Sequence, residues 1–186
     1  MISSHAKQSF ERIFEKAVRT RLPMDANHSC NIVSLAHSSA QMAGADTKAV
    51  VLTISSIAFR LLLILHVNED AATVGYFTRD NGERPFSEAF QEICNLCCGA
   101  INQELLNYFP DLGMSTPYTL SARCLPYLGS LKPNLLESYA IAIDGSASDA
   151  GSIELAATLC VCARAPVDFV ADVSQAEDTS GELELF

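Results

Sequence analysis

The sequence predicts an α+β domain, a two-layer α/β arrangement in which long helices pack against one mixed or antiparallel sheet. Three observations lead there. Two long stretches, near 5–22 and 85–109, carry apolar residues at helical spacing. Between and after them lie short runs dense in Val, Ile and Leu, bounded by turn residues. The order helix, strand, strand, strand then occurs twice, which divides residues 1–165 into halves of about 1–80 and 81–165.

The first helix follows from Phe10, Ile13, Phe14, Val18 and Leu22 on one side, with Pro23 ending it. "HSCNIVSLAH" reads as a short strand. "KAVVLTIS" and "FRLLLILHV" read as two buried strands joined by a turn near Ser56. "RDNGERP" gathers turn and breaker residues ahead of the second long helix. "MSTPYTLSARCL" is expected to be an edge strand, because Pro117 removes a ladder donor. "ESYAIAID" and "SIELAATLCVCAR" alternate as a hairpin around "GSASDAG". From Pro166 the chain reads as a linker, and "QAEDTSGELELF" as a mobile acidic tail. The two long helices align at a separation of 80 residues, Phe10 with Phe90 and Ile13 with Ile93.

Composition narrows the function. At 186 residues and 49% hydrophobic, the chain is long enough for one domain with a proper core. A formal charge of −10 argues against a nucleic-acid or anionic-membrane surface. "LLLILHV" is far short of the roughly 20 residues that span a bilayer, and "MISSHAKQSFERIFEKAVR" has no apolar signal region, so a cytoplasmic protein is expected. The seven cysteines read as free thiols serving as small apolar residues, and the four histidines stand in no metal-ligand spacing, so no metal of its own is expected. Nucleotide-binding, serine-hydrolase and zincin motifs are absent.

The informative stretch is "FSEAFQEICNLCCGAINQELLNYF", residues 86–109. Phe86, Phe90, Ile93, Cys97, Ile101 and Tyr108 project to one side, with Cys94 and Leu105 at its margin. On the other side fall Glu88, Glu92, Asn95, Gly99 and Leu106. Glu92 and Asn95 are neighbours across one turn, and Gly99 lies a further turn on. A glycine inside a helix costs about 1 kcal/mol relative to alanine, so close approach by another element, within this chain or from a partner, is the expected compensation.

The pattern "EICNLCCG", on a helix preceded by two strands and followed by a proline-bearing strand and a hairpin, resembles the CheC/CheX phosphatases of bacterial chemotaxis. The resemblance runs from about residue 5 to 165. It implies that Glu92 and Asn95 are the catalytic pair, entering the active site of a phosphorylated CheY-like response regulator. Glu88, Gly99 and Asn102 would touch that partner. The resemblance also implies two pseudo-symmetric halves and a homodimer, with no cofactor beyond the Mg²⁺ held by the response regulator. Arg12 and Glu15 stand in the first helix where a duplicated Glu and Asn would lie, which is closer to the single-site CheX type. The alternative is a non-catalytic adaptor of the same fold, similar to flagellar switch proteins, that binds response regulators.

Overall fold

The computed structural model describes residues 1–35, 47–79, 84–144 and 152–172. Helix α1 spans Ser4–Arg21, with the Ser3 side chain capping it by accepting a hydrogen bond from the Ala6 N–H. Phe10, Ile13, Phe14 and Val18 are buried along one side, and Leu22 just beyond is buried too. Strands β1 (Ser29–Leu35), β2 (Lys48–Ser55) and β3 (Phe59–Val67) follow as expected.

A short helix, α2 (Ala71–Phe77), is new. Its signal is local, because the Asp70 carboxylate accepts from the Thr73 N–H and caps the first turn. Two turns are too few for apolar periodicity to announce a helix. It earns its place by packing, with Phe77 edge-on to Phe90 at 5.1 Å.

Helix α3 spans Phe86–Leu105. The expected edge strand is broken into β4 (Gly113–Met114) and β5 (Tyr118–Ser121), with Pro117 in the gap, and both pair with the outer side of β2. It also stops earlier than its sequence suggests. From Ala122 to Leu131 the chain winds into a 3₁₀ segment, closed by Lys132 at φ 51°, ψ 54° in the left-handed region. Strands β6 (Leu135–Asp144) and β7 (Ile153–Ala163) form the expected hairpin pairing.

All strand pairs are antiparallel, in the order β1-β6-β7-β3-β2, with β4 and β5 on the far side of β2. Exchanging β1 with β5, β2 with β6 and β3 with β7 returns this order reversed, which is compatible with two halves meeting at the central β3–β7 pair. Alternate residues of β1, β2, β3, β6 and β7 face α1, α2 and α3 and build the main core, including Leu61, Leu63 and Leu65 of β3 and Leu155, Ala157, Leu159 and Val161 of β7. On the opposite face the 3₁₀ segment covers β2 and β3, packing Ala122 and Leu125 on Ala49, Val51 and Ile64.

The stretch read as a linker from Pro166 is instead packed as far as it is described, to Asp172. Val167 forms a parallel bridge with Ile2. Phe169 stands 5.0 Å from Phe10, 5.0 Å from Tyr108 and 5.1 Å from Phe109 by ring centroids. The Ala171 N–H donates to the Ser9 hydroxyl, itself within reach of the Phe169 carbonyl. Val167, Phe169 and Ala171 are buried, and the reason for the difference is length: alternate residues of a stretch as short as "VDFVA" read as linker until a helix surface is there to receive them. The acidic tail lies outside the described residues.

One carboxylate holds the β2–β3 turn. Asp111 accepts from the Ile57 N–H at 2.6 Å and the Ser56 hydroxyl at 3.1 Å. The Ile57 hydrogen bond, then that from Ser56, holds its pKa below the usual 3.8. A carboxyl whose folded pKa is depressed stabilises the protein above its unfolded pKa, and that contribution disappears as pH falls through the folded value. Asp111→Asn is therefore expected to melt below wild type at neutral pH, with the gap closing as pH falls below the ordinary carboxyl value of 3.8 and through the depressed folded one. Melting curves at neutral pH and across the acid range check this, and a gap that persists once the carboxyl is protonated would refute it.

Candidate functional site

Helix α3 lies on the sheet beside α1, to which the Lys16–Glu104 ion pair ties it. Its inward side buries Ala89, Phe90, Ile93, Cys94, Cys97, Cys98, Ile101 and Leu105. The buried stripe is thus wider than its periodicity suggests: Cys94 and Leu105 are fully enclosed, and Phe86 and Tyr108 lie at the rim. Burial pushes the Cys97 and Cys98 thiols up to about 12, and the Cys94 thiol well above its ordinary range. Protonated at neutral pH, these three are packing groups rather than nucleophiles. Among the described residues no group of three or more His, Cys, Asp or Glu converges to hold a metal ion.

The outward side carries the residues singled out in the sequence. Glu88 and Glu92 are exposed, and Asn95 and Gly99 are half-buried. Leu96, one turn on from Glu92 at the margin of this polar patch, is 51% exposed, a large apolar side chain offered to solvent. A Cβ built on Gly99 would meet nothing within 4 Å, so no element among the described residues approaches it. Of the two expected reasons for that glycine, close approach within the chain finds no candidate among the described residues, and the helix here presents bare backbone. Among the described residues Asn95 makes no side-chain hydrogen bond, leaving both its donor and its acceptor for a ligand.

Glu92 is engaged. Arg84, just ahead of the helix, forms an ion pair with its carboxylate. Sequence reasoning missed Arg84 because it lies outside the helix, where periodicity has nothing to say about facing. Gln91 donates to the Thr119 hydroxyl at 3.1 Å, fastening the helix to β5. Asn102 stands apart from the other expected partner contacts: its side-chain oxygen is enclosed and, among the described residues, has no hydrogen-bond partner. On α1, Glu15 pairs with Arg19 one turn on. The Glu-Asn arrangement of α3 therefore has no counterpart there.

No protein-family model matches the chain, and no curated protein matches it in sequence. Solved structures do match in shape. A CheC-like superfamily protein from Shewanella sp. PV-4 is 14% identical with a TM-score of 0.54, covering 82% of this chain and 97% of its own. The chain has the CheC/CheX fold. The CheX–CheY–BeF3–Mg complex from Borrelia burgdorferi matches the CheC/CheX-fold chain at 11% identity and a TM-score of 0.51, covering 83% of this chain and 96% of its own. The FliM middle domain from Vibrio alginolyticus shares the fold at 8% identity and a TM-score of 0.50, over 81% and 90% of the respective chains. At these identities the likeness is one of architecture, and the chemistry must be argued from the residues on α3.

Proposed function

We propose that this chain is a phosphatase for the aspartyl phosphate of a CheY-like response regulator, working in the cytoplasm, with α3 entering the partner's active site. The observation that carries the reading is the outward pair Glu92 and Asn95, one turn apart on a helix anchored by its whole inner side. A neighbouring bare backbone at Gly99 gives a partner room to approach.

An aspartyl phosphate is an acyl phosphate, already reactive, and the partner brings its own Mg²⁺ and lysine to the transferring phosphoryl group. What a helper protein supplies is a water held in line for attack. Asn95 suits this: its amide oxygen accepts one hydrogen of the water, its NH₂ donates to a neighbouring oxygen, and neither role needs a pKa near neutrality. Glu92 would pair with the partner's lysine and set the register of the helix. Glu88 and Gly99 lie along the approach. Asn102 would have to turn its oxygen outward to join them. The same reading carries a homodimer, for which the outer edge formed by β4 and β5, with Met114, Tyr118 and Leu120 exposed, is the candidate surface.

The test is the lifetime of phosphorylated response regulators from the same organism with and without this protein. Acceleration of phosphate loss is expected. A regulator that binds with an unchanged lifetime would favour the second reading, a phospho-dependent adaptor, to which the FliM-like architecture lends support.

Arg84 yields a subsidiary expectation. In the free protein it occupies the carboxylate that the partner's lysine would take. Both side chains are substantially exposed, so the pair is worth no more than about 1 kcal/mol. Arg84→Ala should accordingly tighten partner binding, by at most about fivefold. Titration of the regulator against both proteins reads this out, and weaker binding by the variant would show that Arg84 presents Glu92 instead of competing for it.

A further inference from the structure

The second face of the sheet carries a site of a different kind. Where the 3₁₀ segment leaves that face uncovered, over β1, β6, β7 and the end of β3, there is a cavity of about 310 Å³. Its shape follows from the strand register. One row across the sheet reads Val33, Ala140, Ala156, His66, and the row on one side of it begins Asn31, Ala142, Glu154. Ala140, Ala142 and Ala156 thus occupy the two central strands, with Val33, Asn31 and His66 on the outer strands and Glu154 at one end. Neighbouring strands are about 4.8 Å apart, so the walls at Val33 and His66 stand about 14 Å apart at the backbone, over a floor of alanine.

Alanine is a poor choice there on both ordinary grounds. A solvated sheet face favours polar or β-branched residues, and a packed one favours bulk. An alanine floor serves a slot.

The slot has a polar end. His66 is only 7% exposed, with its Nε2 3.1 Å from the Thr158 hydroxyl, and among the described residues no hydrogen-bonding group meets its Nδ1. Burial lowers its pKa to about 4, so the ring is neutral at physiological pH and offers a hydrogen bond without a charge. Thr47 and Asn68, also lining the cavity, are bonded to each other at 2.6 Å. Among the described residues the one charged lining residue is Glu154, which with the chain's net charge of −10 disfavours anions. An apolar cavity of about 150 Å³ holds benzene, so twice that volume suits a molecule of two fused rings.

We infer that this alanine-floored slot binds an uncharged, flat aromatic molecule of about two fused rings, with one polar group directed at His66. The site is on the sheet face opposite α3 and stands independently of the phosphatase reading.

Prodan, a neutral naphthalene ketone whose emission moves to the blue on leaving water, is a suitable probe, and the chain has no tryptophan to interfere. Titration of the full chain should give saturable one-site binding with blue-shifted emission. Ala156→Leu and Ala140→Leu, which fill the floor, should each weaken binding at least tenfold. His66→Phe, which keeps the wall and loses the hydrogen bond, should weaken it by about five- to tenfold. Val170→Ser, at an exposed apolar position elsewhere, should leave it unchanged. Circular dichroism checks each fold, and Ala→Val at the same positions carries the test if a leucine variant misfolds. Absence of saturable binding, or equal binding by the floor-filled variants, overturns the assignment.

Discussion

Asn95→Ala is expected to remove the acceleration of phosphate loss from the response regulator, by about 100-fold or to the unassisted rate, while the two proteins still bind. The magnitude follows from the task. A side chain that only positions water contributes through orientation, and misplacing a reacting atom by about 1 Å costs on the order of 100-fold. Binding should survive because the inner side of α3, which fixes the helix, is untouched, and because Glu92, Leu96 and Gly99 remain on the presented surface. The backbone should also be undisturbed, since alanine has the higher helix propensity. Single-turnover phosphate release measured beside a binding titration separates the outcomes. Full acceleration by the variant would remove Asn95 from the chemistry, whereas joint loss of binding and acceleration would make it a docking residue.

Phe169→Ala is expected to destabilise the fold by about 3–5 kcal/mol. In a chain of this size that lowers the melting temperature by roughly 10 °C or more. Phe169 is only 8% exposed, and its ring meets Phe10 on α1 and Tyr108 and Phe109 beyond the end of α3. Removing it opens a void where both long helices meet the returning chain, and the three surrounding aromatic rings are too rigid to collapse into it. Val170→Ala, one residue on and 64% exposed, should change stability by less than about 0.5 kcal/mol. Thermal melts of the two variants make the comparison. A shift of only a degree or two for Phe169→Ala would mean that residues 166–172 rest on the domain without supporting it.

How far the chain could be read without coordinates depended on the range of the signal. The two long helices and the β2–β3 and β6–β7 strands announce themselves through periodic burial over many residues, and their sides were right: Phe10, Phe14 and Phe90 are in the core, and Glu88 and Glu92 are in solvent. The juxtaposition of Glu92, Asn95 and Gly99 belongs to the same class, because a helix sets the spacing of its own surface. Helix α2 and the 3₁₀ segment escaped because each is local geometry selected by what it covers, Phe90 in one case and Ala49, Val51 and Ile64 in the other.

Contacts between residues far apart in the chain had no local trace. Phe169 against Phe10 and the row from Val33 through Ala140 and Ala156 to His66 exist only once strands and helices have been brought together. Sequence order sets which way each side chain points along its own element. Which side chains meet is set by sheet order and helix placement, and these minimise exposed apolar area over the whole chain at once.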